Sequence, residues 1–360
     1  MQSKIFNSQK SDYSTQGLFL GEDSGLMDTI NKKFPRIWKI YKTLKKMDWD
    51  ENEFDFSDCA VDFKTCSPSI YRIMIKNLAW QWETDTIAAR SYLPILAPFI
   101  SSTEAFAAYT EITKNEIVHT LTYSEIVRNS FDNPEEVFGE ILAITESLAR
   151  LDTVSKVFST IYKVSHEYAL GLRQASDIEV QDAVWTFITT MLCVERLQFM
   201  SSFAPTFAVC NTGLFNPIGK AVQKIAQDEL EIHVEMGKEV FKFIPAGIWD
   251  RIKPNLEAIL EEIVERELTW AGYLFAEGDE LVGVNEHLLK EWVLFNAKDL
   301  YKLFKFESKY SLPKVNPLKF MEKWLDISKT QPSPQEEDNG QYKLNSVRKD
   351  DVGTTFEIDF

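Results

Sequence analysis

The chain has 360 residues, enough for one large domain or two ordinary ones. Apolar residues at 44% and aromatics at 13% exclude wholesale disorder. Lys and Arg total 39 against 55 Asp and Glu, and the resulting charge of −16 repels phosphate backbones and argues against nucleic-acid binding.

Only 14 Gly and 13 Pro fit long helices better than a turn-rich β protein. The four cysteines (Cys59, Cys66, Cys193 and Cys210) show neither CxxC spacing nor a dense disulfide framework. With no signal-peptide pattern at the N-terminus, a reducing cytoplasm is expected. No membrane span is expected either. The apolar run 92–100 is too short, and the longer stretch 185–210 carries Glu195 and Arg196 at its middle. A helix apolar nearly all round with a carboxylate at its centre reads as a buried core helix.

Taken in order, residues 1–66 form a mixed extension, with a helical stretch at 27–46 and a polar, acidic loop after Trp49. Residues 67–327 read as a helical domain, with helices predicted at 68–98, 102–130, 134–147, 151–173, 178–209, 214–242, 247–276 and 284–305. Ser67-Pro68, Asp132-Asn133-Pro134, Asn211-Thr212-Gly213 and the pair Pro245 and Gly247 supply the breaks. From 328 to 360 the composition turns to Pro, Gln, Glu, Asp, Asn, Gly and Ser, the pattern of a flexible tail. Its apolar-acidic end, Phe356-Glu-Ile-Asp-Phe360, reads as a docking peptide.

The chemistry lies in the helical zone. Two of the four histidines follow a glutamate at same-face helical spacing: Glu116-Ile-Val-His119 and Glu229-Leu-Glu-Ile-His233. Each pair is preceded by an acid in an apolar helix, Asp85 before the first and Glu195 before the second. The order is therefore acid, Glu-His, acid, Glu-His on four successive core-type helices. Di-metal carboxylate bundles are built this way, because mixed oxygen and nitrogen donors suit hard redox metals. Four carboxylates and two imidazoles would neutralise two cations in a core where a lone ionised group is costly. His166 and His287 have no acidic partner in register and read as ordinary surface or packing residues.

These motifs resemble the small, radical-harbouring subunit of class I ribonucleotide reductase, over most of the chain from about Phe19. Glu116-Ile-Val-His119-Thr-Leu-Thr-Tyr123-Ser-Glu-Ile-Val-Arg128-Asn129 is similar to the family's ligand-and-radical helix, and Asn77-Leu-Ala-Trp-Gln-Trp-Glu-Thr-Asp85 to its first ligand helix. Glu195 with Phe199 and Phe203, and Ile225-Ala-Gln-Asp228-Glu229, match the remaining two. The resemblance implies an all-α, ferritin-like bundle with a pair of iron ions, manganese ions or one of each. The ligands would be Asp85, Glu116, His119, Glu195, Glu229 and His233, and the radical tyrosine Tyr123.

It further implies that Trp49 links the centre to the surface, hydrogen-bonded through Asp228 to His119, and that Phe199, Phe203, Ile225 and Leu78 wall off the radical. Tyr342 resembles the tail tyrosine that relays the oxidising hole into the large subunit, and Glu336 the nearby functional glutamate. The partners implied are that large subunit, reached through the tail, and a second copy of the chain. The reaction would be reduction of ribonucleotides to deoxyribonucleotides on the large subunit. Another ferritin-like di-metal oxidase or an iron store shares the six-donor pattern and is the alternative.

One departure stands out: the family has Glu-x-x-His where this chain has one residue more between Glu229 and His233. On an α-helix Glu229 precedes His233 by about 400°, whereas Glu231 lies about 200° away. Glu229 is thus the better donor, with a π-bulge absorbing the extra residue, and Glu231 is the alternative.

Overall fold

A computed structural model describes residues 17–22, 26–27, 30 and 32–326 of the chain. Tyr342, Glu336, Phe356 and Phe360, with the tail that carries them, lie outside the described residues. Among the described residues there is no strand, only two isolated bridges, Phe19 with Ile100 and Leu281 with Val284.

Among the described residues, three short helices flank the rest of the helical set. Helix α1 is Pro35–Leu44, α2 is Cys59–Thr65 and α13 is Met321–Trp324. Between them run α3 (Pro68–Leu96), α4 (Thr103–Ser130), α5 (Pro134–Leu142) and α6 (Thr145–Ala169). Next come α7 (Ile178–Cys193) and α8 (Met200–Cys210), joined without a break by a π-helical segment, Val194–Phe199. Helices α9 (Asn216–Asp228) and α10 (Val234–Phe241) are joined in the same way through Glu229–His233. Helices α11 (Ala246–Leu274) and α12 (Glu286–Phe304) complete the set.

The central bundle is α3, α4, α7–α8 and α9–α10. Helix α3 lies along α4 and also meets α8, while α7 meets α10 and the two π segments meet each other. An outer layer of α6, α11 and α12 covers one side, and α1 lies across α4 and α10. Helices α3 and α7–α8 are apolar nearly all round where they are covered on all sides: every residue from Ile73 to Gln81, and from Thr189 to Cys210, is buried. Trp49, Phe56 and Phe63 from the first 66 residues belong to the same hydrophobic core.

The structure corrects several predicted boundaries. The helix expected over 27–46 is confined to Pro35–Leu44: proline at the first helical position sets the start and disfavours helical backbone at Phe34 before it. The loop expected after Trp49 contains a 3₁₀ turn, Glu51–Glu53, and then α2. Helix α5 stops at Leu142 and α6 starts at Thr145, six residues earlier than predicted; its N-cap is Ile144, whose side chain cannot cap. Helix α6 ends at Ala169 rather than 173, where Gly171 takes up a left-handed φ of 74°.

Candidate metal centre

Helices α3 and α4 are regular where they carry the site. Serine caps fix their starts: Ser67 accepts from Ile70 N at 3.3 Å, and Ser102 from Ala105 N at 3.1 Å. Asp85 on α3 and Glu116 and His119 on α4 are buried at mid-helix. The other two donor helices carry their donors in the π segments, Glu195 in the first and Glu229 with His233 in the second. A π turn closes i→i+5 and so holds about one residue more than an α turn. That extra room puts Glu229 and His233, four apart, on one face. Glu231 points to solvent.

The six donors converge into two overlapping groups. Asp85, Glu116, His119 and Glu229 offer atoms all within 4.8 Å of one another, and so do Glu116, Glu195, Glu229 and His233. Glu116 and Glu229 belong to both groups. His119 Nδ1 lies 3.0 Å from Glu229 Oε1, and His233 Nδ1 lies 2.7 Å from Glu229 Oε2 and 3.1 Å from Glu116 Oε1.

Which atoms are satisfied decides what the cluster is for. Both oxygens of Asp85, Glu116 and Glu229, Oε2 of Glu195 and Nδ1 of both histidines are buried and face one another without an aligned hydrogen bond. Three of the donors are held by their outward atoms. His119 Nε2 meets Asp228 Oδ2 at 3.3 Å, His233 Nε2 meets Asn115 Oδ1 at 3.0 Å, and Glu195 Oε1 accepts from the Tyr92 hydroxyl at 2.5 Å. Orphaned buried donors would each cost free energy, whereas histidines anchored through the far nitrogen are oriented for a metal. The donor set fits a pair of hard redox cations.

Burial and mutual charge shift the donors in opposite directions. Burial, then the Glu116 charge, holds Asp85 well above the usual carboxylate range, and burial, then Glu229, does so for Glu195. Burial disfavours the charged forms of His119 and His233, yet the surrounding carboxylates outweigh it and raise both. Glu229, also opposed by burial, is lowered by His233 and its other hydrogen-bonding neighbours. Bound cations would take the place of protons on these donors.

Tyr123 is fully buried, and its hydroxyl has no aligned hydrogen-bond partner. Burial, then the charge of Asp85, pushes its phenol well above the ordinary range. On the far side of His119, Trp49 Nε1 donates to Asp228 Oδ2 at 2.7 Å and the indole stacks on the His119 ring at 5.9 Å. Phe199, Phe203, Ile225 and Leu78 are all buried, and Phe199 stacks on Phe203. His166 and His287 are exposed, as expected.

A sequence model of the family "Ribonucleotide reductase, small chain" matches residues 27–317. The chain belongs to that family. It is 24% identical to the ribonucleoside-diphosphate reductase subunit beta of Haemophilus influenzae and 23% identical to the ribonucleoside-diphosphate reductase 1 subunit beta of Escherichia coli O157:H7, in each case over 95% of both chains. Among solved structures it superposes on a ribonucleotide reductase R2 subunit from Clostridium botulinum with a TM-score of 0.75 at 15% identity, over 91% of this chain and 99% of that one. A second, titled dimanganese(II)-NrdF from Streptococcus sanguinis, gives 0.63 at 14% identity, over 84% and 100%. The fold is the ferritin-like helical bundle. Membership makes this chain the small subunit of a two-subunit oxidoreductase, ribonucleoside-diphosphate reductase, with a large subunit as its partner. No helix among the described residues is long and apolar enough to cross a membrane.

Three supporting groups were missed in the sequence. Asn115 bridges the two Glu-His pairs, donating to Asp228 Oδ2 at 3.0 Å while its carbonyl meets His233. Arg150, buried on α6, is paired with Glu267 and donates to Gln198 O at 3.0 Å and Ser201 Oγ at 3.1 Å, at the end of the first π segment. Tyr92 follows Asp85 by seven residues, two turns on the same face, a signal that same-face spacing could have supplied.

Proposed function

We propose that the six donors hold two metal ions and that Tyr123 stores an oxidising equivalent, as a neutral phenoxyl radical, for ribonucleotide reduction on the large subunit. The inward donors carry this reading: six side chains from four helices aim unaligned oxygen and nitrogen atoms at one another beside a buried phenol, and His119, His233 and Glu195 are each anchored from behind. Asp85 and His119 would hold one ion and Glu195 and His233 the other, with Glu116 and Glu229 between. The pair, of iron, manganese or both, supplies a one-electron oxidant once it has reacted with dioxygen or a reduced oxygen species.

Tyr123 gives up one electron and its phenolic proton, and Asp85 is the carboxylate nearest to hand. Burial keeps water and reductants from the ring, which is what a persistent phenoxyl requires. Trp49, Asp228 and His119 form a continuous hydrogen-bonded and stacked route from the centre toward α1 and the loop after it. We assign the onward relay to Tyr342 and Glu336, and docking on the large subunit to the terminal Phe356 and Phe360. A homodimer in the cytoplasm completes the reading. It is supported by the family membership, by the exposed Ile117 and Leu121 one turn apart on α4, and by four unpaired cysteines.

The test is metal analysis with electron paramagnetic resonance after anaerobic Fe(II) loading and exposure to oxygen. Two ions per chain and a tyrosyl signal are expected. Tyr123→Phe should retain the ions and lose the signal. An unchanged signal in that variant would overturn the assignment of Tyr123.

A further inference from the structure

Tyr92 stands at the opposite end of the centre from Tyr123. It projects from α3 on the face that carries Asp85, and it is buried. Its hydroxyl donates to Glu195 Oε1, its ring meets the His233 ring edge-on at 6.2 Å, and it stacks on Tyr109 at 5.9 Å. A small cavity of about 10 Å³, lined by Tyr92, Tyr109, Ile112, Met191, Glu195 and His233, lies against this contact. That is room for about one water molecule.

The two terminal carboxylates are therefore held differently. Asp85 has no aligned hydrogen bond at either oxygen, the phenol facing it being that of Tyr123. Glu195 has Oε1 tied outward to a phenol and only Oε2 bare, 3.8 Å from His233 Nδ1. Glu195 also sits on a π segment, where the regular i→i−4 ladder does not fix the side chain's position. Toward an ionised Glu195, the form a bound cation would favour, the protonated phenol is the donor.

We propose that Tyr92 is a positioning residue that holds Glu195 to one inward oxygen and so sets the affinity of the ion position shared by Glu195 and His233. The Asp85–His119 position is independent of it. This rests on the two-ion reading above and adds to it an inequivalence between the ions.

The test is Tyr92→Phe in the full chain, prepared metal-free and titrated with Mn(II) alone. Free Mn(II) is counted by its six-line resonance, and the bound ions are read by whether their signal is that of a coupled pair. The parent should take up two ions and show the coupled signal. In Tyr92→Phe one ion should bind as in the parent and the other about 10–100-fold more weakly, the usual cost of losing a partner behind a ligand. At one equivalent of metal that variant should then show isolated Mn(II). Tyr109→Phe removes a hydroxyl from the same aromatic cluster and should titrate like the parent, which separates positioning from packing. Two parent-like ions in Tyr92→Phe, or equal weakening of both, would overturn the role of Tyr92. A parent chain that takes up no Mn(II) would instead overturn the two-ion reading, and the role with it.

Discussion

The two halves of the donor set are built by different means. Asp85, Glu116 and His119 stand on uninterrupted α-helices, where spacing alone puts Glu116 and His119 on one face. Glu195, Glu229 and His233 stand on π segments, one in each of the other two core helices, and the two segments pack against each other. A regular helix fixes a side chain through its own ladder. A π turn gives up that regularity, and two of its three donors are held from outside, Glu195 by Tyr92 and His233 by Asn115, with the end of the first segment held by Arg150. The same six-donor geometry leans on regular helical spacing in one half, where Asp228 behind His119 is the outside contact, and more heavily on tertiary contacts in the other.

The sharpest way to break this comparison is to remove one residue from each half. Deleting Glu231, which faces solvent, leaves Glu229-Leu-Ile-His, and a plain α turn can then present both donors without shifting α10. Two ions per chain should be retained. Deleting Ile117, also exposed, leaves Glu116 two residues from His119 and rotates everything after it by about 100°, Tyr123 included. Metal analysis should then find no bound pair, and nucleotide reduction should fall by at least about 100-fold with both ligation and the radical gone. Loss of both ions on deleting Glu231 would show that the π turn is itself required.

A smaller effect is expected at the clamp on the first π segment. The Arg150 guanidinium lies 3.5 Å over the Trp80 ring and is paired with Glu267, to which Gln198 Nε2 also donates at 3.0 Å. Burial lowers the Arg150 pKa and the Glu267 charge works against it, so the pair is stable only as a pair. Arg150→Met leaves Glu267 buried and uncompensated and should cost about 3–5 kcal/mol in urea unfolding. The same variant should weaken the Glu195–His233 ion position more than the Asp85–His119 position, which has no contact with Arg150 among those observed. Equal weakening would mean that the clamp stabilises the whole bundle rather than one half of the centre.

The difference between the halves also explains what the sequence could and could not reveal. The six donors were legible because charged groups in apolar helices stand out, and because Glu116 and His119 keep α-helical spacing. The π turn at Glu229 was legible only through its extra residue. The one at Val194–Phe199 left no mark, since Glu195 has no paired histidine in its own helix to betray an altered spacing. Tyr92 and Asn115 went unnoticed because neutral polar residues in a helix look like ordinary packing until their partners from other helices are known. The start of α6 was misplaced for a related reason: Ile144 offers no capping side chain, so nothing local marks the boundary.

The mildest prediction returns to the helix starts. Helix α4 begins with a serine cap, and α9 does not. Its N-cap is Phe215, in a left-handed conformation at φ 54°, with its amide donating to Asp62 Oδ2 at 2.7 Å and its ring packed on Phe63 at 4.5 Å. Such a backbone is uncommon for a bulky residue and persists because the surrounding contacts over-determine it. If local sequence fixes the first half and tertiary packing the second, Ser102→Ala should remove one cap bond and little else. The expected cost is about 1 kcal/mol, a fall of about 2 °C in Tm, with two ions still bound. A drop in metal stoichiometry would contradict this, because it would mean that the position of Glu116 and His119 depends on how α4 is started rather than on the regular helix between Ser102 and the site.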